Sequence, residues 1–220
     1  MIGKRIFIYI ILFAPVVMSS CKEDKYVYPS VLTEFTDMAT NSKGILSELI
    51  TDNGMKYEIE NRDGLGGLTQ DTVYRTVSMY SLAEEKNHVT LYSTLSILSV
   101  IPKPADKFAE GIATDPLHVQ SITYTGRYIN MILLPMVKDK THYYHFADNG
   151  ISTNIDGTQT LEITLLHKQN GDYEGYKKKM YASVPVWTYN DILKDGDRIK
   201  LNVNTYDGLI TKEFVYSKQP

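Results

Sequence analysis

The sequence is poor in cysteine, in tryptophan and in excess charge of either sign. Its 220 residues include one Cys and one Trp, and 23 Lys and Arg stand against 26 Asp and Glu. A single Cys cannot form a disulfide within the chain, so a disulfide-stapled fold is excluded. The formal net charge of −3 argues against a strongly basic nucleic-acid binder. The apolar content of 43% is typical of a globular chain and too high for a disordered one.

Long hydrophobic runs are also missing. The longest nearly apolar stretch runs from Ile6 to Met18 and is broken only by Pro15. It is too short to span a bilayer, which takes about 20 residues. Lys4 and Arg5 precede it and small residues follow it, which is typical of a secretory signal peptide. We therefore assign residues 1–20 as a signal peptide.

The only cysteine lies where such a signal would be cleaved. The segment Met18-Ser19-Ser20-Cys21 resembles the lipobox of bacterial lipoproteins, in which the Cys is lipidated and becomes the new N-terminus. We predict lipidation of Cys21 and a lipidated tether over residues 21–27, so that membrane attachment depends on acyl chains alone. A simple secretory signal with an incidental Cys is the alternative.

The residues after the anchor bear on where the protein is displayed. Cleavage removes Lys4 and Arg5, which leaves 21 basic and 26 acidic residues and a net charge of −5. Lys22-Glu23-Asp24 resembles the acidic export signal that carries some lipoproteins of the Bacteroidetes to the outer face of the outer membrane. A short solvated tether is the alternative. We expect a lipid-anchored protein of the outer membrane, on its periplasmic face or at the cell surface.

The body of the chain has the pattern of short β-strands. Apolar and polar residues alternate over 160–165 and 199–204, as they do in strands with one buried face. Helical signal is limited to 105–110 and 187–194, too short to cross over between parallel strands. The prediction is therefore an all-β protein with antiparallel sheets. Dipeptides that tolerate positive φ separate the runs: Asn53-Gly54, Asn149-Gly150, Asp156-Gly157, Asn170-Gly171 and Asp207-Gly208.

A proline-rich segment divides this body into two units. Pro102-Lys103-Pro104 and Asp115-Pro116 flank Gly111, a composition typical of connectors between compact domains. By size, residues 28–104 fit a small five-stranded barrel and residues 105–220 fit a β-sandwich.

Several stretches are similar, in order and spacing, to those of one bacterial family. They are Tyr28-Pro29-Ser30-Val31, Ile50-Thr51-Asp52-Asn53-Gly54, Val73-Tyr74-Arg75, Asp115-Pro116-Leu117, Gly126-Arg127-Tyr128-Ile129-Asn130-Met131, Leu165-Leu166-His167, Ser183-Val184-Pro185 and Asn204-Thr205-Tyr206-Asp207-Gly208. On these stretches the chain resembles the NigD-like lipoproteins of the Bacteroidetes over nearly all of its mature length. The resemblance implies an N-terminal OB-like β-barrel followed by a C-terminal antiparallel β-sandwich. It implies no established activity and no catalytic or ligand residues.

Motifs that carry catalytic or metal chemistry are scarce. The sequence contains no G-x-S-x-G, no P-loop and no H-E-x-x-H. His142 and His145 are three apart in a segment with strand character, so their imidazoles should face opposite sides and make a poor zinc pair. His167 follows an alternating strand and fits a turn as well. We predict no catalytic residues, no metal site and no cofactor.

Three other polar segments fit ordinary loops better than sites. Gly64-Leu65-Gly66-Gly67 begins like a dinucleotide loop, but Thr69 stands where the third glycine belongs. Asp195-Gly196-Asp197 falls short of a calcium loop, which needs six to eight oxygens in a defined geometry. Glu84 and Glu85 are sequence neighbours in a polar loop, whereas a glycosidase needs two carboxylates held across a sugar.

Tyrosines and lysines together suggest one candidate contact surface. Tyr173, Tyr176, Lys177 and Lys178 are close in sequence and would form an aromatic and basic face. Such a face binds sugars, anionic polymers or protein partners. Strand propensity combined with a lysine-guarded sheet edge is the simpler alternative and the one that we favour.

These features favour a non-enzymatic, outer-membrane-anchored lipoprotein that acts as a binding or interaction module in the cell envelope. The expected ligand is an envelope protein, and nucleic acid is not expected. A glycan-binding accessory lipoprotein at the cell surface is the alternative. An enzyme whose site is assembled from scattered polar residues is a third hypothesis, since catalytic sites are recognised by geometry.

Overall fold

The computed structural model of the chain describes residues 30–60 and 64–218. The predicted signal peptide, the predicted lipidation site Cys21 and the predicted tether lie outside the described residues. Within them the protein is built almost entirely from β-strands, which confirms the predicted all-β class. An OB-like barrel precedes a β-sandwich, as predicted.

The barrel closes five strands on themselves. The strands follow the order β1-β2-β3-β5-β4 around the barrel, and β4 pairs with β1 to complete the ring. Four of the five pairs are antiparallel, and the pair between β3 and β5 is parallel. The strand bounds are β1 Val31–Thr40, β2 Leu46–Thr51, β3 Lys56–Ile59, β4 Val73–Leu82 and β5 His88–Ser96.

The second unit packs a five-stranded sheet against a three-stranded one. The larger sheet has the order β15-β14-β11-β10-β6, the smaller one β13-β8-β7, and β12 pairs with β9 in a two-stranded extension. The strand bounds are β6 Lys103–Pro104, β7 His118–Tyr124, β8 Tyr128–Leu134, β9 Met136–Val137, β10 Tyr143–Thr153, β11 Gln159–Lys168, β12 Tyr176–Lys177, β13 Met180–Pro185, β14 Arg198–Thr205 and β15 Gly208–Val215.

The larger sheet of the sandwich is mixed rather than purely antiparallel. Its hairpins are antiparallel, as predicted, but β11 runs parallel to β14 and β6 runs parallel to β10. Parallel neighbours need a long connection. Between β11 and β14 the chain meets this need without an α-helix, because it leaves to form β12 and β13 beside the smaller sheet and then returns.

Each unit has its own hydrophobic core. The alternating residues of 160–165 and 199–204 place Leu161, Ile163 and Leu201 at zero exposure in the sandwich core, where they meet Met131 and Val184 from the smaller sheet. A separate cluster that includes Met38, Leu49 and Tyr80 fills the barrel. The predicted alternation therefore identifies the buried faces correctly.

The chain passes from the barrel into the sandwich earlier than the proline-rich segment suggests. The predicted boundary falls between residues 104 and 105, but Lys103–Pro104 forms β6 and pairs with β10 inside the sandwich. Pro104 is tolerated there because β6 is an edge strand. Leu98 already bridges Ala182 of β13, so the chain enters the second unit directly after β5.

Two local expectations differ from the structure. Asn149-Gly150 is not a hairpin turn, since both residues lie inside β10, where the pairing with β11 shifts and Gly150 has a φ of +96°. A β-bulge with a glycine of positive φ and a hairpin turn favour the same Asn-Gly dipeptide. The sequence alone therefore does not distinguish a bulge from a turn at this position. The expected short helices at 105–110 and 187–194 are single 3₁₀ turns, Ala105–Lys107 and Val186–Tyr189.

Candidate functional site

A groove lies beside β13. It opens where the segment that follows β5 turns away from the outer edge of that strand. It has a volume of about 420 Å³, within the range of ligand pockets. Its walls are formed by residues 95–98 on one side, 135–142 on another, and 176–181 with the ring of Tyr144.

Strand pairing explains why the groove forms at this place. Tyr176 pairs with Val137 and Met180 pairs with Leu133, so β12 and β13 follow β9 and β8 in one continuous register. Pro135 interrupts the ladder because it has no N–H, although its carbonyl still accepts a hydrogen bond from the backbone of Lys178 at 3.0 Å. The outer side of this ribbon is a sheet edge, and it forms one wall of the groove.

The groove concentrates positive charge in a chain that is acidic overall. Four lysines line it, against the single carboxylate of Asp139: Lys138, Lys140, Lys178 and Lys179. Lys140 Nζ donates to the carbonyls of Asn170 and Gly171, at 3.2 and 2.8 Å. Lys178 and Lys179 are exposed, and neither has an ion-pair partner among the described residues.

The aromatic and basic residues weighed as a candidate face lie in part at this groove. Tyr176 and Lys178 line it, and Tyr176 is 57% exposed. Tyr173 is 72% exposed, and its ring centroid lies 5.5 Å from the ammonium of Lys138 at the rim. Lys177 is not among the lining residues.

A buried chain of hydrogen bonds supports the loop wall of the groove. His142 Nδ1 lies 2.9 Å from His167 Nε2, and His142 Nε2 lies 3.2 Å from Asp172 Oδ2. His167 Nδ1 lies 2.8 Å from the carbonyl of Asp115. The rings of Tyr144 and His167, cross-strand partners on β10 and β11, are stacked with centroids 4.8 Å apart.

The partners of the two imidazoles limit which ring nitrogens can donate in this hydrogen-bond network. The Asp115 carbonyl and the Asp172 carboxylate only accept, so His167 Nδ1 and His142 Nε2 must donate. The bond between the two rings needs a third N–H, one more than two neutral imidazoles carry. Two neutral imidazoles therefore cannot make all three contacts as full hydrogen bonds. Asp172, whose side chain is 1% exposed, is the buried carboxylate at the end of this network.

The surroundings of His167 disfavour its protonated form. Burial lowers the pKa of His167 most, the hydrogen bond to Asp115 acts in the opposite direction, and the positive charge of His142 lowers the pKa further. His142 Nδ1 also lies 3.3 Å from the hydroxyl of Tyr144. Both nitrogens of each ring are occupied.

Asp172 keeps its negative charge because backbone amides surround it. Desolvation raises its pKa, but hydrogen bonds from the backbone of Asp139, Lys138, Lys140 and Tyr173 lower it more, and the net result is a pKa well below the usual range. The same contacts hold the 138–140 loop in place. Desolvation also raises the pKa of Tyr144 to about 12.

The structure separates the two histidines that were weighed as a zinc pair. His142 faces His167 and Asp172, whereas His145 bonds to the backbone of its neighbour Phe146 and packs edge-on to Phe108 at 5.4 Å. Within residues 30–60 and 64–218, no cluster of His, Cys, Asp and Glu is arranged to hold a metal ion. The histidines that do form a pair are His142 and His167. The sequence carries no signal for this pair, because the register of β10 against β11 brings the two residues together.

The other polar segments form turns and loops. Asp197 accepts hydrogen bonds from the backbone of Gln159 and Lys194, at 2.8 and 2.7 Å, so its carboxylate closes a turn. Glu84 and Glu85 lie in the loop between β4 and β5. Gly64 to Gly67 belong to the loop between β3 and β4, where the Leu65 carbonyl accepts from the backbone of Leu46.

A second buried network joins the barrel to the sandwich and fixes the groove between them. Arg75 on β4 donates to Asp37 at 3.1 Å and Asp52 at 2.9 Å in the barrel, and to Asn130 at 2.9 Å and Ser183 at 3.2 Å in the sandwich. Asp52 Oδ1 lies 2.7 Å from Arg75 Nη1 without hydrogen-bond alignment, so this contact is an ion pair only.

Aromatic rings enclose this network. The Arg75 guanidinium lies 3.7 Å from the centroid of Tyr128, whose hydroxyl donates to Asp37 at 3.2 Å. Phe35 of the barrel meets Tyr181 of the sandwich edge-on at 5.8 Å, beside the groove. The network was not predicted, although it draws on stretches that carry the family resemblance: Asp52, Arg75, Tyr128, Asn130 and Ser183.

Comparisons with known proteins agree with this architecture. The family model described as the NigD-like C-terminal beta sandwich domain matches residues 99–216, more than half of the chain. The crystal structure of a NigD-like immunity protein from Bacteroides caccae is 30% identical in sequence. The match covers 87% of this chain and 100% of that one, with a TM-score of 0.70.

More distant structures share the fold alone. A toxin-related protein from Parabacteroides distasonis is 12% identical, with a TM-score of 0.65 over 86% of this chain and 95% of that one. A candidate lipoprotein from Bacteroides fragilis is 12% identical, with a TM-score of 0.63 over 87% and 99%. No curated protein matches the chain. In the part that the structure describes, no helix has the length and apolar character to cross a membrane.

Proposed function

Since this chain belongs to the family of NigD-like proteins, we propose that it is a non-enzymatic binding module of the cell envelope, held in the outer membrane by lipid on Cys21. Its ligand is a protein partner, met on the periplasmic face of that membrane or at the cell surface. The groove between the barrel and β13 carries this proposal, because it combines exposed tyrosines, unpaired lysines and a rigid frame.

The composition of the groove supports a protein ligand. Tyrosine gives a large contact area at low entropic cost and is enriched in protein interfaces. The related Bacteroides caccae protein is described as an immunity protein. Immunity proteins of bacterial toxins are among the tightest protein binders known, which favours binding over catalysis.

The buried histidines support a non-enzymatic role. A histidine that acts as a general base must have a ring nitrogen within reach of its substrate. His142 has a side chain only 2% exposed, and its two nitrogens are engaged by His167 and Asp172. Its contribution is structural, since it holds the loop wall of the groove.

A glycan ligand is the second candidate, and one observation favours it. Tyr173 and Tyr176 present exposed rings at the rim and wall of the groove, and such aromatic faces also contact sugars. A polysaccharide binding screen tests this candidate. Saturable binding that Tyr173→Ala and Tyr176→Ala both reduce would favour the glycan over the protein.

Crosslinked capture from the native envelope tests the proposal. The tagged, lipidated protein should retain a protein partner in near-stoichiometric amount. Cys21→Ser should leave the membrane fraction and lose that partner, because the acyl chains are its attachment. Failure to retain any protein, with the wild-type chain folded and anchored, would overturn the protein-ligand proposal. A processed Cys21→Ser protein still in the membrane would overturn the lipid anchor.

A further inference from the structure

We infer that the groove binds an extended, acidic segment of the protein partner, which lies along the outer edge of β13 and adds a strand to its sheet. This inference rests on the proposed function and specifies the chemistry of the ligand.

The first observation is the edge itself. β13 is the outermost strand of its sheet, and the chain leaving the barrel approaches it only at one end. There Leu98 bridges Ala182 in parallel, and the backbone of Ser183 donates to Leu98 at 2.8 Å. Toward Lys178 the two chains diverge and the groove opens. The groove therefore lies along the same edge of β13, next to the part of that edge that already pairs with Leu98.

Sheet edges are natural acceptors for extended peptides. Their main-chain groups give affinity, and neighbouring side chains give specificity. The edge over 178–181 is about 13 Å long at about 3.3 Å per residue. This length suits roughly four residues of an added strand, lying in the open groove with part of their side chains in solvent.

The second observation is charge. Lys178 and Lys179 lie on this edge without ion-pair partners among the described residues, and Lys138 lies on the facing loop. Lysines on an edge prevent pairing with a second copy of the same edge, because like charges would meet. They favour a segment that brings carboxylates. An acidic extended segment would pair its main chain with the strand edge and would bring carboxylates close to the lysines.

The strand edge also decides between a peptide and an anionic polysaccharide. Either polymer would neutralise the lysines, but only a peptide offers alternating N–H and C=O groups to a strand edge. The inference therefore commits to a peptide, and the test includes a polysaccharide.

Fluorescence anisotropy with the full, lipidated chain in detergent tests the inference. The probe is a labelled peptide of four Glu-Val repeats. It should bind saturably, and binding should weaken as NaCl rises from about 0.1 M to about 1 M, where the screening length is only about 3 Å. Lys178→Glu with Lys179→Glu should weaken it about tenfold or more. The matched control, Lys43→Glu with Lys212→Glu, carries the same change in net charge on other exposed surfaces and should bind as the wild type does.

Two comparison ligands make the result decisive. The same peptide N-methylated at every residue keeps its carboxylates but has no backbone N–H, and it should bind at least about tenfold more weakly. Equal binding of the methylated peptide would overturn strand addition. Tighter binding of polygalacturonate than of the peptide would overturn the choice of a peptide.

The outcome separates this inference from the proposed function. If the lysine double variant still captures the partner from the envelope and the peptide does not bind, the inference is wrong and the proposed function stands. If the peptide binds as expected and no envelope protein is captured, the proposed function is wrong as stated.

Discussion

Arg75 is the residue on which the relative placement of the two units most depends. Its side chain is 4% exposed and contacts two carboxylates of the barrel and two polar groups of the sandwich. A buried cation of this kind is stabilising only while its partners are present. The network therefore gives specificity to the junction, and with it a defined shape to the groove.

Replacing Arg75 should destabilise the protein strongly. Arg75→Met removes the cation of Asp52 and leaves Asp37 with only Arg127, whose Nη1 lies 3.5 Å away, and this should lower the free energy of unfolding by about 3–5 kcal/mol. Arg198→Met removes an exposed arginine from surface ion pairs and should cost about 1 kcal/mol or less. Urea unfolding of both variants measures the difference. Equal costs would contradict the role assigned to Arg75.

The histidine pair links stability to pH. Burial, partly opposed by the Asp115 hydrogen bond and assisted by the charge of His142, lowers the pKa of His167 in the folded state. Below about pH 6.5, where an ordinary histidine titrates, the unfolded chain takes up a proton that folded His167 resists. Since the unfolded state then binds more protons, the free energy of unfolding should fall as the pH decreases.

His167→Asn should remove that contribution. The variant lacks the group whose pKa is lowered by burial, so it should lose less stability than the wild type between pH 7 and pH 5. Urea unfolding at several pH values provides the measurement. If the free energy of unfolding changes with pH equally in the two proteins, His167 is not the titrating group.

At the scale of elements, the sequence predicts most of the strands and little of their pairing. Local alternation identifies the strands that hold Leu161 and Leu201, because the period of a strand is visible within a few residues. Pairing partners distant in sequence leave no such local signal. The parallel pair of β11 with β14 and the cross-strand stack of Tyr144 on His167 were therefore not predicted.

The turn between β1 and β2 offers a test of the barrel. Gly44 has a φ of +69°, and a Cβ there would lie 2.2 Å from the carbonyl oxygen of Leu68 in the β3–β4 loop. Gly54 has a φ of +84° with open space around it. Both Gly→Ala changes carry the cost of positive φ, but Gly44→Ala should cost about 1–3 kcal/mol more because the backbone must move.

Thermal or urea unfolding of the two alanine variants provides this comparison. The shared φ penalty makes Gly54→Ala the matched control. Similar stabilities would mean that the β3–β4 loop does not pack on the turn as the structure has it.

At the scale of the whole molecule, two independent cores are joined by one polar junction. The strand content of the units was predictable, because alternation is a property of local sequence, whereas the proline-rich segment places the boundary after the start of the sandwich. The groove was not predicted, since it arises from residues 95–98, from 135–142 with Tyr144, and from 176–181, which the fold brings together. Of the tyrosine and lysine cluster singled out in the sequence, Tyr176 and Lys178 line the groove. The second lysine on this edge is Lys179, whereas Lys177 does not line the groove.

The central claim is that a protein partner is bound at this groove, and site-specific photocrosslinking tests it most directly. p-Benzoylphenylalanine would replace Tyr176 in the groove or Ile192, an exposed residue of a different cavity. In the lipidated protein within its native envelope, we expect one dominant protein adduct from position 176 and none from position 192. Equal adducts from both positions, or none from position 176 in a folded and anchored protein, would contradict the account.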